Sequence, residues 1–437
     1  DDDPAEYRYY YMQSNGKAYK AGTSSNTTKF KTIDGKKYAF DEDGKMLYGW
    51  VNKDDSTLAM GDSDWEEATY YMGSWEDGAL KTGWQKISVY DEDEDDDMDY
   101  WFNFKSNGEK RVNTKSDKDI FEKKINGKYY GFDERGVMTY EWTAASTNDL
   151  TTISNWRYFN SPEDGARSTK GWFKVVSAEY LNDDKYNDDE DSWYYADGSG
   201  NLYAGEFKTI KGKKYAFRND GRMIDGLKFI NPDDLTKVYA DDDSDHPFDT
   251  EDDFIDSALW YAANGYNCYY FGDGNDGAMK TNKTNITIDG DNFNFYFEKS
   301  GSSKGAGVNG EKDDKYYLGG MLLKAGSDDK YQAIEYVEKT GEEKGWKKLA
   351  DAQAVIKKFD LTSDTSKIEE AKKAASSFNK KADDLKELYI LPEENNNLKL
   401  INTSGKVIDK KGKSKDGNDY VYVTDNKGVI RVIYVEN

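Results

Sequence analysis

The chain has one histidine and one cysteine in 437 residues. The lone Cys268 excludes an intramolecular disulfide framework, so packing must hold the fold together. Ser-His-Asp or Cys-His catalysis would have to be built on His246, which stands in the acidic, proline-flanked stretch Asp245-His246-Pro247. Zinc is starved of ligands for the same reason. No apolar run approaches the length of a membrane span, so membrane insertion is not expected. Basic residues number 61 against 85 acidic ones, a formal charge of -24, and that field repels nucleic acid phosphates and anionic bilayers alike. The opening Asp1-Asp-Asp-Pro-Ala-Glu lacks the basic and apolar regions of a signal peptide. The chain is then either cytosolic or a mature fragment with its signal removed, and a surface-protein composition favours the second.

What the chain has in abundance is rings. Aromatics make up 15% of it and tyrosine occurs 35 times, while aliphatics are scarce, so buried area must come largely from rings. They fall in a repeat. Its clearest copies are Gly35-Lys-Lys-Tyr-Ala-Phe-Asp-Glu-Asp-Gly44-Lys-Met46, Gly127-Lys-Tyr-Tyr-Gly-Phe-Asp-Glu-Arg-Gly136-Val-Met138 and Gly212-Lys-Lys-Tyr-Ala-Phe-Arg-Asn-Asp-Gly221-Arg-Met223. A unit of this size buries its rings only against its neighbours, which points to a stacked array. Within a copy, Lys37-Tyr38-Ala39-Phe40 reads as a short strand and Asp41-Glu-Asp-Gly44 as the turn, with glycine taking the positive φ. A returning strand, Lys45-Met46-Leu47-Tyr48, leads to Gly49-Trp50. Heavier clusters alternate with these compact hairpins: Tyr70-Tyr71-Met72, Trp101-Phe102-Asn103-Phe104, Trp156 to Asn160, Trp193-Tyr194-Tyr195 and Tyr269-Tyr270-Phe271.

The predicted fold is all-β: an elongated solenoid of stacked β-hairpin repeats over residues 5–340, with acidic loop insertions. A small helical insertion is expected over 341–397, followed by C-terminal strands over 398–437 that form a degenerate repeat or cap. The insertion rests on a helix-like Trp346 to Phe359 and a capping box in Ser366-Lys-Ile-Glu369. Ile368, Ala371, Ala375, Phe378, Ala382, Leu385 and Tyr389 then follow spacings of three and four, one stripe down a long helix. Acidic runs such as Asp91 to Asp97 and Asp241 to Asp245 are expected to be solvated loops. Calcium at Asp91 to Asp99 or Asp241 to Asp245 is a candidate, although the ordered spacing of a calcium loop is missing. No other cofactor is expected. Gly272-Asp-Gly-Asn-Asp-Gly277 matches a dinucleotide fingerprint formally, but no helix pattern follows and it reads as a turn. The sorting-like Leu391-Pro-Glu-Glu-Asn395 lacks the hydrophobic tail of a sorting signal and reads as a loop.

The series of Gly-Trp, aromatic cluster, turn glycine, Met and Thr-Gly-Trp resembles the cell-wall-binding repeats of Gram-positive surface proteins: choline-binding modules, glucan-binding repeats and clostridial toxin repeats. The stretches that carry it are Tyr70-Tyr71-Met72 through Thr82-Gly83-Trp84, Trp156 through Gly171-Trp172, and Gly127 through Met138. It covers residues 5 to 340 or so, with a faint echo at Tyr420 to Gly428. Two copies depart, with Glu141-Trp142 and Gly226-Leu227 in place of Gly-Trp, and the spacers are longer than in the family.

The resemblance implies ligand sites between successive hairpins, where a Gly-Trp ring meets the rings of the next cluster. A quaternary ammonium is held by π faces, and a sugar stacks on them. Carried residue by residue, the cages would join Trp50 to Trp65 and Tyr70, Trp84 to Tyr100 and Trp101, Trp142 to Trp156 and Tyr158, and Trp172 to Trp193 and Tyr194. The same rings are also what is available to pack hairpin on hairpin. The expected function is therefore non-catalytic: secreted or cell-surface binding of a cell-wall polymer through a choline-type or glucan ligand. The alternative is a structural spacer or adhesin stalk without competent cages. An enzyme would need a catalytic domain outside this fragment.

Overall fold

Alternating rings and lysines on short strands fold into antiparallel hairpins wherever the repeat occurs. The computed structural model describes residues 7–21, 28–54, 57, 61–115, 118–240 and 245–437. Strand accounts for 39% of it and helix for 9%, so the chain is mostly β as its repeats predict. It divides into two compact units, Asp1–Ala204 and Gly205–Asn437.

The compact hairpins pair Lys31–Ile33 with Lys36–Tyr38, Phe121–Ile125 with Lys128–Phe132, and Glu206–Ile210 with Lys213–Phe217. Their turns are Asp34-Gly35, Asn126-Gly127 and Lys211-Gly212, where both residues have positive φ. Two consecutive positive φ values are those of a type I′ turn, whose twist matches its strands. The opening glycine of each copy is thus the hairpin turn. The Asp41-to-Gly44 segment, expected to be that turn, closes only single bridges such as Phe40 with Met46. There the leading aspartate ties the loop: Asp41 Oδ1 accepts from the N–H of Asp43 and of Lys45. Asp197 and Asp425 do the same further along, and Asp133 Oδ1 accepts from the N–H of Val137, which gives part of the acidic excess a structural role.

The heavier clusters form longer hairpins: Gly83–Asp91 with Asp96–Phe104, Glu141–Ala144 with Trp156–Phe159, and Gly171–Val176 with Asp191–Ala196. Successive hairpins are tied by single backbone bonds, Leu80 N to Lys37 O, Lys110 N to Thr69 O, Met138 N to Trp101 O and Arg167 N to Tyr129 O, all 2.8–2.9 Å. The repeat's methionines lie on turn glycines of the next hairpin. A Cβ on Gly78, Gly165 or Gly277 would collide with Met46, Met138 or Met223, and all three glycines have φ between 56° and 58°. Those methionines are packing residues.

The second unit departs from the repeat. The long gap before Gly277 holds a 13-residue helix, Glu251–Ala263, capped by Thr250, with Phe254, Ile255, Ala258 and Leu259 buried. That spacing, the cap and three acids in the first turn were all legible. Its core joins Phe229, Phe254, Leu259, Phe295 and Ile334. Toward the C-terminus, the expected long helix over Ile368 to Tyr389 is absent. Ile368–Ala374 is α-helical and Ala382–Asp384 is a single 3-10 turn, while Leu385–Ile390 is a strand paired with Ile430–Glu436. Ala371, Ala375, Phe378 and Leu385 do share one core, with Val423, Val432 and Tyr434. The stripe marked a common buried face, but Leu385 to Ile390 gained more by completing a four-stranded sheet than by extending a helix. The expected Ser366 cap is also not made: the hydroxyl donates to Asp364, and the N-cap residue is Lys367. Trp346 lies in the strand Glu343–Lys348, and the helix there is Ala352–Lys358, capped by Asp351. Gly272 to Gly277 is a turn, as expected.

Candidate aromatic binding sites

Successive residues of a strand face opposite sides, so a ring cluster on one face can hold only every second residue. Each heavy hairpin obeys this. Trp142 stands opposite Tyr158, and Trp172 opposite Tyr195. In both, a second tryptophan two residues earlier, Trp156 or Trp193, completes the face as a diagonal neighbour. Trp84 and Trp101 share the same offset. Trp50 and Trp65 reach it differently, since Trp65 precedes its strand. All four tryptophan pairs have ring centroids 6.4 Å apart, and three of them cross at 84–89°.

Three residues expected in these cages therefore face away. Tyr70 is buried against Phe30 at 5.0 Å, and Tyr71 takes its place beside Trp50. Tyr100 lies near Trp65, 6.3 Å away, rather than with Trp84. Tyr194 is fully buried, 4.9 Å from Trp142 and 5.6 Å from Phe173, and its hydroxyl pairs with Ser177 at 2.7 Å. Tyr195 stands where Tyr194 was expected.

The four corners differ in what fills them. At Trp50 and Trp65 the chain supplies its own cation. Lys110 Nζ lies 5.1 Å from the Trp50 ring, 5.8 Å from Trp65 and 5.9 Å from Phe102, and it donates to the carbonyls of Trp65 and Glu66 at 2.8 Å. Burial pulls this ammonium down to about 7. Behind it, the Arg135 guanidinium covers Trp65 and Tyr100 at 5.5 and 5.8 Å and pairs with Asp91 at 2.9 Å. Burial pushes the Asp91 carboxyl up, but the Tyr100 hydroxyl and Arg135 outweigh it and hold it low. No sequence signal led to Lys110, which lies 45 residues from Trp65.

The corner at Trp142 is closed by packing. Phe173 stacks on Tyr158 at 4.8 Å, Tyr194 closes the other side, and the Trp142 indole donates to Val176 O at 2.7 Å. Trp156 is buried and donates to Leu150 O.

At Trp84 and Trp101 the corner is half-buried, and no ammonium or guanidinium of the described residues lies over either ring. Tyr130 of the next compact hairpin forms the third wall, 4.8 Å from Trp84 at 64°, with Phe132 behind. A carboxylate stands at the edge: the Trp101 indole donates to Glu163 at 3.1 Å, and Lys86 pairs with it at 2.7 Å. Those two partners hold Glu163 below the usual carboxylate range. The last corner has Trp172 5.0 Å from Tyr195, which Tyr203 stacks on at 5.2 Å. The Trp193 indole N–H is buried without an acceptor among the described residues.

Asp91, in the first stretch considered for calcium, is committed to Tyr100 and Arg135, and among the described residues no group of three or more His, Cys, Asp or Glu side chains converges. Of the other candidate stretch, residues 241–244 lie outside the described residues. Among the described residues no helix is long and apolar enough to cross a membrane.

No family model matches the sequence, and no curated protein matches it. Solved structures do. The chain is similar to the modular autolysin LytC of Streptococcus pneumoniae, at 16% identity over 76% of this chain and 55% of that one, with a TM-score of 0.35. It thus spans about half the autolysin's length. It is similar to choline-binding protein F of the same organism, solved in the presence of a peptidoglycan analogue, at 19% identity over 69% of this chain and 100% of that one (TM-score 0.31). Alternansucrase in complex with isomaltononaose matches at 16% identity over 76% of this chain and 20% of that one (TM-score 0.21).

Proposed function

We propose that this chain is a non-catalytic secreted or cell-surface protein of a Gram-positive bacterium. It holds a cell-envelope or extracellular glycan component, through a choline-type group or a sugar face, in the corner of Trp84, Trp101 and Tyr130. One observation carries the reading. In the corresponding corner at Trp50 and Trp65 the chain places its own Lys110 Nζ against three ring faces, while the Trp84 corner has the same 6.4 Å pair and no such plug among the described residues. A cation over rings is worth about 0.5–2 kcal/mol, and that is what the corner offers, because the Glu163 carboxylate at the rim is already paired with Lys86. Trp172, Trp193 and Tyr195 form the second candidate corner.

The non-catalytic part is supported by the fate of the two reactive side chains. Cys268 is buried in the second unit's core, which pushes its thiol up, and the His246 ring stacks on Trp260 at 3.6 Å. The spacer reading gains from the two corners that are filled internally. Tryptophan fluorescence during titration with choline and with dextran oligosaccharides separates the readings. Binding that Trp101→Ala abolishes while the far-UV circular dichroism is unchanged supports the corner. A parent that binds neither probe, or a variant that binds as well as the parent, leaves the spacer.

A further inference from the structure

Carboxylates outnumber basic side chains by 85 to 61 in this chain, yet one groove of the first unit has none in its walls. It is a cavity of about 500 Å³ between the compact hairpin Phe121–Ile125/Lys128–Phe132 and the strand Gly171–Val176. Lys124, Lys128, Arg167 and Lys170 line it, with Tyr129 and Trp172 as aromatic walls. Arg167 is committed: it pairs with Glu122 and lies over the Tyr129 ring at 4.4 Å, which fixes that ring as a platform. Lys128 reaches Asp164 at 3.5 Å, both well exposed. Among the described residues Lys124 and Lys170 have no carboxylate within ion-pair distance, and Lys124 Nζ lies 5.8 Å from the centroid of the Tyr129 ring opposite it. Tyr129 is 37% exposed, and the Ser168 and Thr169 hydroxyls and the Asn160 amide sit along the same groove.

The second unit repeats the chemistry on different elements. A smaller cavity of about 210 Å³ is lined by Lys283, Lys315 and Lys324 with Tyr317, Thr403 and Ser404, again without a carboxylate. Two grooves, each walled by lysines, a ring and hydroxyls, are a selective arrangement in an acidic protein. Lys283 lies 4.0 Å from Asp313, whereas Lys315 and Lys324 have no carboxylate within ion-pair distance among the described residues. A ring face and hydroxyls suit a sugar, and ammoniums without a carboxylate partner suit its acidic substituent.

We infer that these grooves bind an anionic glycan, a chain carrying carboxylate or phosphate groups, distinct in sign from any ligand of the Trp84 corner. The inference rests on the glycan-binding reading and adds the charge of the polymer. In the first groove a sugar stacks on Tyr129 while its acid group meets Lys124 and Lys170. The negative field of the whole protein opposes a polyanion, so the attraction is local to the lysines, and salt that screens these exposed contacts should weaken it.

The full chain is titrated with polygalacturonate, with poly(glycerol phosphate) and with neutral dextran, at low and at high salt. One acidic polymer is expected to bind about tenfold tighter than dextran at low salt, with the advantage lost at high salt; which polymer wins names the acid group. Lys124→Gln with Lys170→Gln should remove about that tenfold for the acidic polymer alone, and the Lys→Arg pair should keep it. Trp101→Ala should leave it intact. Acidic polymers binding no tighter than dextran, or lysine variants that lose dextran equally, overturn the inference and leave the glycan reading standing. If no polymer and no choline binds, both fall.

Discussion

Replacing Lys110 by methionine keeps the length of the side chain and removes its charge. The ammonium is 4% exposed, and burial pulls it from 10.5 to about 7. At about 1.4 kcal/mol per pK unit, that fall corresponds to at most about 5 kcal/mol of burial cost. Below pH 7 lysine is charged in the folded and the unfolded chain, and the whole cost is present. Between 7 and 10.5 the unfolded chain keeps a proton that the folded chain has released, so stability rises with pH across that window and levels off above it. Two forces oppose the release: hydrogen bonds from the ammonium to Trp65 O and Glu66 O, about 1.5–3 kcal/mol each, and the three ring faces. Urea midpoints of the parent and Lys110→Met, compared at several pH values through the window, isolate this one group because every other titration is shared. The parent should gain on the variant as pH rises, by several kcal/mol at most. A difference that stays flat would falsify the reasoning and show that carbonyls and rings keep the proton throughout. Lys110→Ala adds a second readout, since the emptied corner should acquire affinity for tetramethylammonium, seen as quenching of Trp50 and Trp65.

Two further substitutions separate structural rings and turns from binding ones. Trp142→Ala removes contacts to Trp156, Tyr158, Phe173 and Tyr194 together with the bond to Val176 O, and should cost about 3 kcal/mol in chemical denaturation without altering ligand titrations. Gly165→Ala forces a side chain onto a φ of 56° and into Met138, and should lower stability by about 1–3 kcal/mol. Adding Met138→Ala should restore only the part due to collision, which a double-mutant cycle measures.

The repeat, its hairpins and its family resemblance were legible because they are local. Glycine at the turn, rings at alternate positions and an aspartate tying the loop all act within a dozen residues. The four tryptophan pairs were legible for the same reason. Which tyrosine joined them was also available, because Tyr100 next to Trp101 and Tyr194 next to Trp193 cannot share a strand face with them. The helix Glu251–Ala263 carried its own cap and spacing and was obscured only by the surrounding repeat.

What remained was decided by residues that meet across hairpins. Lys110 closes the Trp50 corner from the next repeat, Phe173 closes the Trp142 corner from the next, and Tyr130 walls the Trp84 corner. No spacing rule reaches that far, since the distance from ring to plug depends on loop length and on where each hairpin settles on its neighbour. Leu385 to Ile390 shows the same limit: its spacing suits a helix, and only a waiting strand edge at Ile430–Glu436 made it β. Sequence determined that this chain would stack aromatic hairpins. Tertiary packing decided which corners are filled from within, because a buried cation or ring contributes its energy only where another segment has built the walls.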